Sequence, residues 1–226
     1  MTFLELVQWV SQEAQIPGNG PSAVTGQQGE SRNLVNWVKA AWNEIETRHQ
    51  TWFWRRKQFS FPTVADKVAY TVADVGLTED FSAWAPSSFR IKTTALPGND
   101  ALPLPPWTYE DWERYYLIAS QAPGRPVIYS QRPNDQAIVL GPTPFSDQFT
   151  VAGWYYTIPQ PLVNATDVPR MPAEFHTLIG YLALMKYARA EAAGEIYEDA
   201  SKMVTSLMRR LENHQLPAIG MPDSLA

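Results

Sequence analysis

The chain has 226 residues, a formal charge of −5 and no cysteine, which removes disulfides, thiolate catalysis and thiolate metal sites. That acidic balance is not the basic footprint of a free-standing DNA binder, and no run of about 18 apolar residues is present to span a membrane. Only 18% of the residues are charged, against 45% hydrophobic and 19 prolines, so the chain reads as folded, turn-rich and β-containing, with some aromatic surface covered by a partner.

Residues 2–15 read as a helix: Phe3, Leu6, Val7, Val10 and Ala14 form one apolar stripe. Thr2 is its N-cap and Glu5 the capping-box partner. Acids and glutamines run through this opening, unlike a signal peptide. IPGNGPSAVTGQQGES, residues 16–31, is a loop or a strap laid on another surface. Residues 31–49 form a second helix with Leu34, Trp37, Val38, Ala41, Trp42 and Ile45 on one side.

TWFWRRKQFSF, residues 51–61, packs aromatic rings against three cations. As function, Trp52, Phe53 and Trp54 with Arg55, Arg56 and Lys57 suit base stacking and phosphate binding. As structure, Trp52, Trp54, Phe59 and Phe61 form the joint between a helical bundle and a β-rich head. The strand-like alternation that follows and the acidic balance favour the structural reading; a third reading, which the sequence permits without showing it, mixes the two as an electropositive surface in an oligomer through which DNA passes.

From 58 to about 160, KQFSF, KVAYTV, SSFRIKT, PVIYSQ, AIVLGP and FTVAGWYYT read as strands. An Asn-Asp turn in RPNDQAIVL predicts a hairpin. One helix interrupts them: Thr108 caps it, Asp111 lies three residues on, and Trp112, Tyr115, Tyr116 and Ile118 follow. Pro172 opens a helix that runs to about Ala193. Gly194 breaks it, and the stripe Ile196, Tyr197, Ala200, Val204, Leu207, Met208 and Leu211 marks the last helix. QLPAIGMPDSLA has no period.

The fold expected is α+β. Residues 1–57 and 170–215 make a helical bundle, and 58–169 a β-rich insertion with one helix near 108–119. Residues 216–226 form a C-terminal docking tail.

Enzymatic motifs do not emerge. His49, His176 and His214 share no metal-binding spacing; His176 reads as a helix-surface or interface residue. Gly18-Asn19-Gly20 follows a helix and precedes a proline, the wrong context for a phosphate loop. G-x-S-x-G and P-loop signatures are absent. The expectation is no catalytic residue, no metal and no cofactor.

Taken as a set, four segments resemble the head-to-tail adaptor (connector) proteins of tailed bacteriophages. The likeness is to the group typified by the adaptor of phage SU10, and more distantly to the tubular adaptor of T7-like phages. They are TFLELVQWVSQEAQIPGNGPSAVTGQQGE, LVNWVKAAWNEIETRHQTWFWRRKQFSF, GRPVIYSQRPNDQAIVLGPTPFSDQFTVAGWYY and MPAEFHTLIGYLALMKYARAEAAGEIY. The match is weakest over 73–120.

The resemblance implies a non-enzymatic virion protein at the portal vertex, made in the host cytoplasm. Its copies form a ring, usually of twelve, that docks under the portal protein. The ring extends the DNA channel and offers the attachment site for a downstream tail or nozzle protein. Genomic DNA passes through the lumen without sequence-specific binding. Leu216, Pro217, Ile219, Met221 and Pro222 are the expected portal-binding residues, and Val24 and Gln27 the expected inter-subunit strap. A carbohydrate-binding tail component, with tryptophans stacking on sugars, is the alternative; a single-stranded nucleic-acid binder is a further one.

Overall fold

The computed structural model describes residues 1–18, 20–93, 101–119 and 121–217. The fold is α+β, with helices at both ends of the chain and strands between them. Two compact units divide it: Met1–Arg55 with Pro159–Ala226, and Arg56–Ile158.

The first unit is helical. Helix α1 (Phe3–Glu13) begins with the capping box read from sequence: Glu5 N–H donates to the Thr2 hydroxyl, and the Glu5 carboxylate accepts from Thr2 N–H. Helix α2 (Gly29–Arg48) buries Leu34, Val38, Ala41, Trp42 and Ile45. Pro172 precedes a 3-10 turn, Ala173–Phe175, which leads into α4 (His176–Ala190). Gly194 does not simply break the helix; it is the first residue of α5 (Gly194–Gln215).

α4 is the central helix and packs on α1, α2 and α5. That position explains why Leu178, Ile179, Leu182, Ala183 and Leu184 are buried around much of its circumference. His176 is also buried rather than on the helix surface. Its Nδ1 faces the Met1 amino group at 2.8 Å, its Nε2 faces the Met171 carbonyl at 3.0 Å, and burial pushes its pKa down. Burial thus favours the neutral imidazole.

The second crossing between units falls at Ile158/Pro159, well before the expected boundary at 170. The physical reason is that 159–170 is tied to the helices. Trp42 Nε1 donates to the Gln160 carbonyl at 2.7 Å, Leu162 is in the helical core, and Leu4 and Phe3 N–H groups donate to Ala165 and Asp167 carbonyls.

The second unit is built on β9 (Phe149–Thr157), which pairs antiparallel with β1 (Arg56–Pro62) along one edge. Its other edge takes both β3 (Phe81–Trp84) and β4 (Arg90–Thr93), and β5 (Leu102–Pro103) extends the sheet beyond β4. A second sheet has the order β2 (Ala69–Tyr70), β8 (Ile138–Gly141), β7 (Ile128–Gln131) and β6 (Pro106–Trp107). Strand alternation sends Phe59, Phe61, Ile91, Val151 and Tyr155 inward to one shared core with Tyr129, Ile138 and Leu140. Phe89 stacks on Tyr129 with centroids 4.0 Å apart.

β2 is short for a local reason. Asp74 accepts from Thr71 N–H and hydroxyl and from Lys67 Nζ, so the backbone turns instead of extending the ladder. These donors hold the Asp74 pKa down at about 2. The β7–β8 hairpin is present, but its left-handed residue is Gln136 rather than Asn134 or Asp135. Asp135 instead accepts from Arg132 and from Ala137 N–H.

Two outcomes follow from this packing. A Cβ on Gly180 of α4 would sit 2.3 Å from a Trp9 ring carbon of α1. Gly180→Ala therefore lowers stability by roughly 1–3 kcal/mol in urea denaturation, although alanine is the better helix former; adding Trp9→Leu recovers most of the loss. Asp74 has a depressed folded pKa, so its contribution is present above pH 3.8 and is lost as the pH falls toward about 2. Melting curves of wild type and Asp74→Asn differ at neutral pH and converge across that window.

Candidate docking surfaces

The aromatic-cationic stretch resolves into separately satisfied groups. After α2, residues Phe53–Arg55 form a 3-10 turn, and β1 starts at Arg56. Trp52 is fully buried and donates to the Ile45 carbonyl at 2.8 Å. Trp54 stacks on Trp52 at 4.4 Å between centroids and donates to Glu46 Oε1 at 2.8 Å. Arg55 is 2% exposed; its Nη1 donates to the Glu46 carbonyl at 3.0 Å, and its Nε lies 3.8 Å from Glu46 Oε2. Gln160 N–H adds a donor to the same carboxylate at 3.3 Å.

Burial pushes the Glu46 carboxyl up, opposed by the Trp54 and Gln160 N–H groups and by the Arg55 charge. Arg56 lies over the Trp154 ring at 4.5 Å, and Lys57 bonds Asp80. Of the three cations, one is consumed in a core ion pair, one is stacked and one is paired. The stretch is thus not one contiguous phosphate clamp: Arg55 and Lys57 are paired with carboxylates, and only Arg56 is not, among the described residues. The four rings expected at the joint divide between cores: Trp52 and Trp54 pack in the helical unit, Phe59 and Phe61 in the β unit.

The strap residue Val24 is 6% exposed and belongs to the core of its own helical unit, while Gln27 is half-buried and donates to the Thr25 carbonyl. Gln8 fastens the strap from α1 by donating to the Pro21 carbonyl at 3.1 Å. Leu216 packs against the helical core and Pro217 is exposed. Ile219, Met221 and Pro222 lie outside the described residues.

The sequence reading did not find one apolar surface of the β unit. Helix α3 (Tyr109–Trp112) continues as a π-helix, Glu113–Ile118. The wider turn breaks the 3.6-residue stripe. Trp112 stays buried, and Tyr116 fills the space beside Gly141, whose Cβ would meet its ring at 2.5 Å. Tyr115 and Ile118, expected on the same stripe, instead point out, 50% and 74% exposed, with Leu117. Trp107 lies edge-to-face with Tyr115 at 5.9 Å. The two help line an open cavity of about 650 Å³ with Pro106, Asp111 and Arg114. Of the tryptophans of this unit, Trp84 and Trp112 are buried and Trp154 carries Arg56, so Trp107 alone offers a broad stacking surface.

The sequence matches the SU10 adaptor protein family over residues 1–219. The chain belongs to this family of phage structural adaptors. The match runs through both units, from α1 past the end of α5. No curated protein matches the chain.

The buried pair yields a direct test. Glu46→Ala leaves Arg55 buried without its counter-charge and lowers stability by about 3–5 kcal/mol. Combining Glu46→Met with Arg55→Met recovers part of that loss, because both charges leave the core together while the Trp54 and Gln160 N–H groups lose their acceptor; a double-mutant cycle by thermal denaturation measures it.

Proposed function

We propose that the protein is one subunit of a ring, of twelve copies as in related adaptors, that docks under the portal at the capsid vertex. The ring extends the DNA channel and carries the tail's attachment site. The observation that carries this reading is the adaptor-family match across residues 1–219. The protein acts by assembly: it makes and breaks no covalent bond.

Surface chemistry supports the reading. Trp107, Tyr115, Leu117 and Ile118 gather large exposed apolar groups in one part of the β unit, as expected of a subunit covered by neighbours or a tail protein. In the strap, Val24 serves as the anchor and the exposed Thr25, Gly26 and Gln28 beside Gln27 are offered to the adjacent copy. Leu216 caps the C-terminal end of α5, and from there the apolar residues Leu216, Pro217, Ile219, Met221 and Pro222 of the tail dock on the portal.

Deleting 218–226 leaves α5 and Leu216 intact, so the truncated chain keeps its melting temperature but no longer co-sediments with portal rings. Unchanged co-sedimentation removes the tail from the portal contact. An image of the intact particle at the portal vertex tests the location itself.

A further inference from the structure

The strand register assembles a cationic face that is scattered in the sequence. On the outward side of the first sheet, β1 carries Arg56, Gln58 and Ser60, β4 carries Arg90 and Lys92, and β9 carries Trp154. Gln58 pairs with Trp154, and Ser60 and Arg90 flank Ala152 from opposite edges of β9. None of the outward positions on these three strands is acidic, in a chain with 23 acids. Arg90 and Lys92 are exposed and have no carboxylate partner among the described residues. Arg56 stacks on Trp154, and its buried Nε has no hydrogen-bond partner among the described residues. A groove of about 420 Å³, lined by Gln58, Ser60, Ser88, Arg90 and Trp154, runs across the middle.

We propose that this face binds the phosphodiester backbone of nucleic acid, with Arg56, Arg90 and Lys92 as the phosphate contacts. The spacing selects a polymeric anion. Arg90 and Lys92 are about 7 Å apart along their strand. Arg56 pairs with Tyr156, four positions along β9 from the Ala152 that pairs with Arg90. Such a diagonal cannot close on one small anion, but it meets charges repeated along a chain. Guanidinium groups offer paired N–H donors that match phosphate oxygens, and Gln58 and Ser60 add neutral donors between them. A flat sheet face without a projecting element does not enter a groove, so contact is to backbone and carries no sequence preference. This deepens the adaptor reading, in which DNA crosses the assembly, and rests on it for its biological setting.

The test is fluorescence anisotropy of full-length protein with a labelled DNA duplex of arbitrary sequence, from about 50 to 200 mM salt. Wild type binds at low salt. Arg90→Gln/Lys92→Gln weakens binding by roughly tenfold and lowers the slope of log affinity against log salt by about two. Arg90→Lys/Lys92→Arg keeps both charges and binds as wild type. Lys57→Gln, on the opposite face and paired with Asp80, changes nothing. Equal affinity of wild type and Arg90→Gln/Lys92→Gln overturns the proposal, as does preference of the wild type for polyglutamate over duplex. Light scattering on the same samples, with and without portal, scores assembly separately. Assembly without duplex binding overturns the phosphate face alone, and duplex binding without assembly overturns the ring reading alone.

Discussion

The Glu46 carboxylate is the anchor of the helical unit. It is fully buried, yet it receives N–H groups from Trp54 and Gln160 and faces the Arg55 guanidinium. Those partners come from the two places where the chain leaves and re-enters the helical unit. A buried charge is costly unless its geometry is complete, because desolvation opposes the Coulomb gain. That cost makes the site specific: an alternative path for residues 52–55 or 159–160 leaves a charge or an N–H group without a partner. Trp42 strengthens the restriction by donating to the Gln160 carbonyl from the same helix. The stack of Trp52 on Trp54 then keeps water away from the pair.

Much of the helical unit was legible because its signals are local. The Thr2–Glu5 box and the apolar stripes of α1, α2 and α5 need only neighbours within a few turns. The β unit was legible where a strand carries its own alternation, as in β1 and β9. It was less legible where a turn or a distant strand decides. Asp74 ends β2 through three hydrogen bonds from side chain and backbone. β3 was not expected at all; it exists because β9 is long enough to pair with two strands along one edge. The π-helix was invisible because Trp112, Tyr115, Tyr116 and Ile118 fit an ordinary helical stripe. Close packing of Tyr116 against Gly141 favours a wider turn, and Ile118 then faces out.

The cations show the same limit more sharply. Contiguity in Arg55-Arg56-Lys57 suggested one electropositive surface. Strand geometry separates Arg56 from Lys57 onto opposite faces, and Arg55 has already been spent in the core. Conversely, Arg56 and Arg90 share a face although 33 intervening residues separate them in the chain. Only the pairing of β9 with both β1 and β4 brings them there, and no spacing rule along the sequence encodes that.

An acidic chain with a cationic face is physically consistent. At physiological salt, charges more than about 8 Å away through solvent are largely screened. A polyanion approaching the outward sheet face therefore meets the local field of Arg56, Arg90 and Lys92 rather than the formal charge of −5. Repeated over the several copies of the proposed ring, weak contacts of this kind would guide a moving strand without arresting it, since each is made and broken independently and none reads a base. The exposed apolar groups around the π-helix obey the opposite rule. Their attraction is nearly unaffected by ordinary salt and grows with the area removed from water. Salt sensitivity therefore separates the two surfaces: one suits a partner that must slide, the other a partner that must stay.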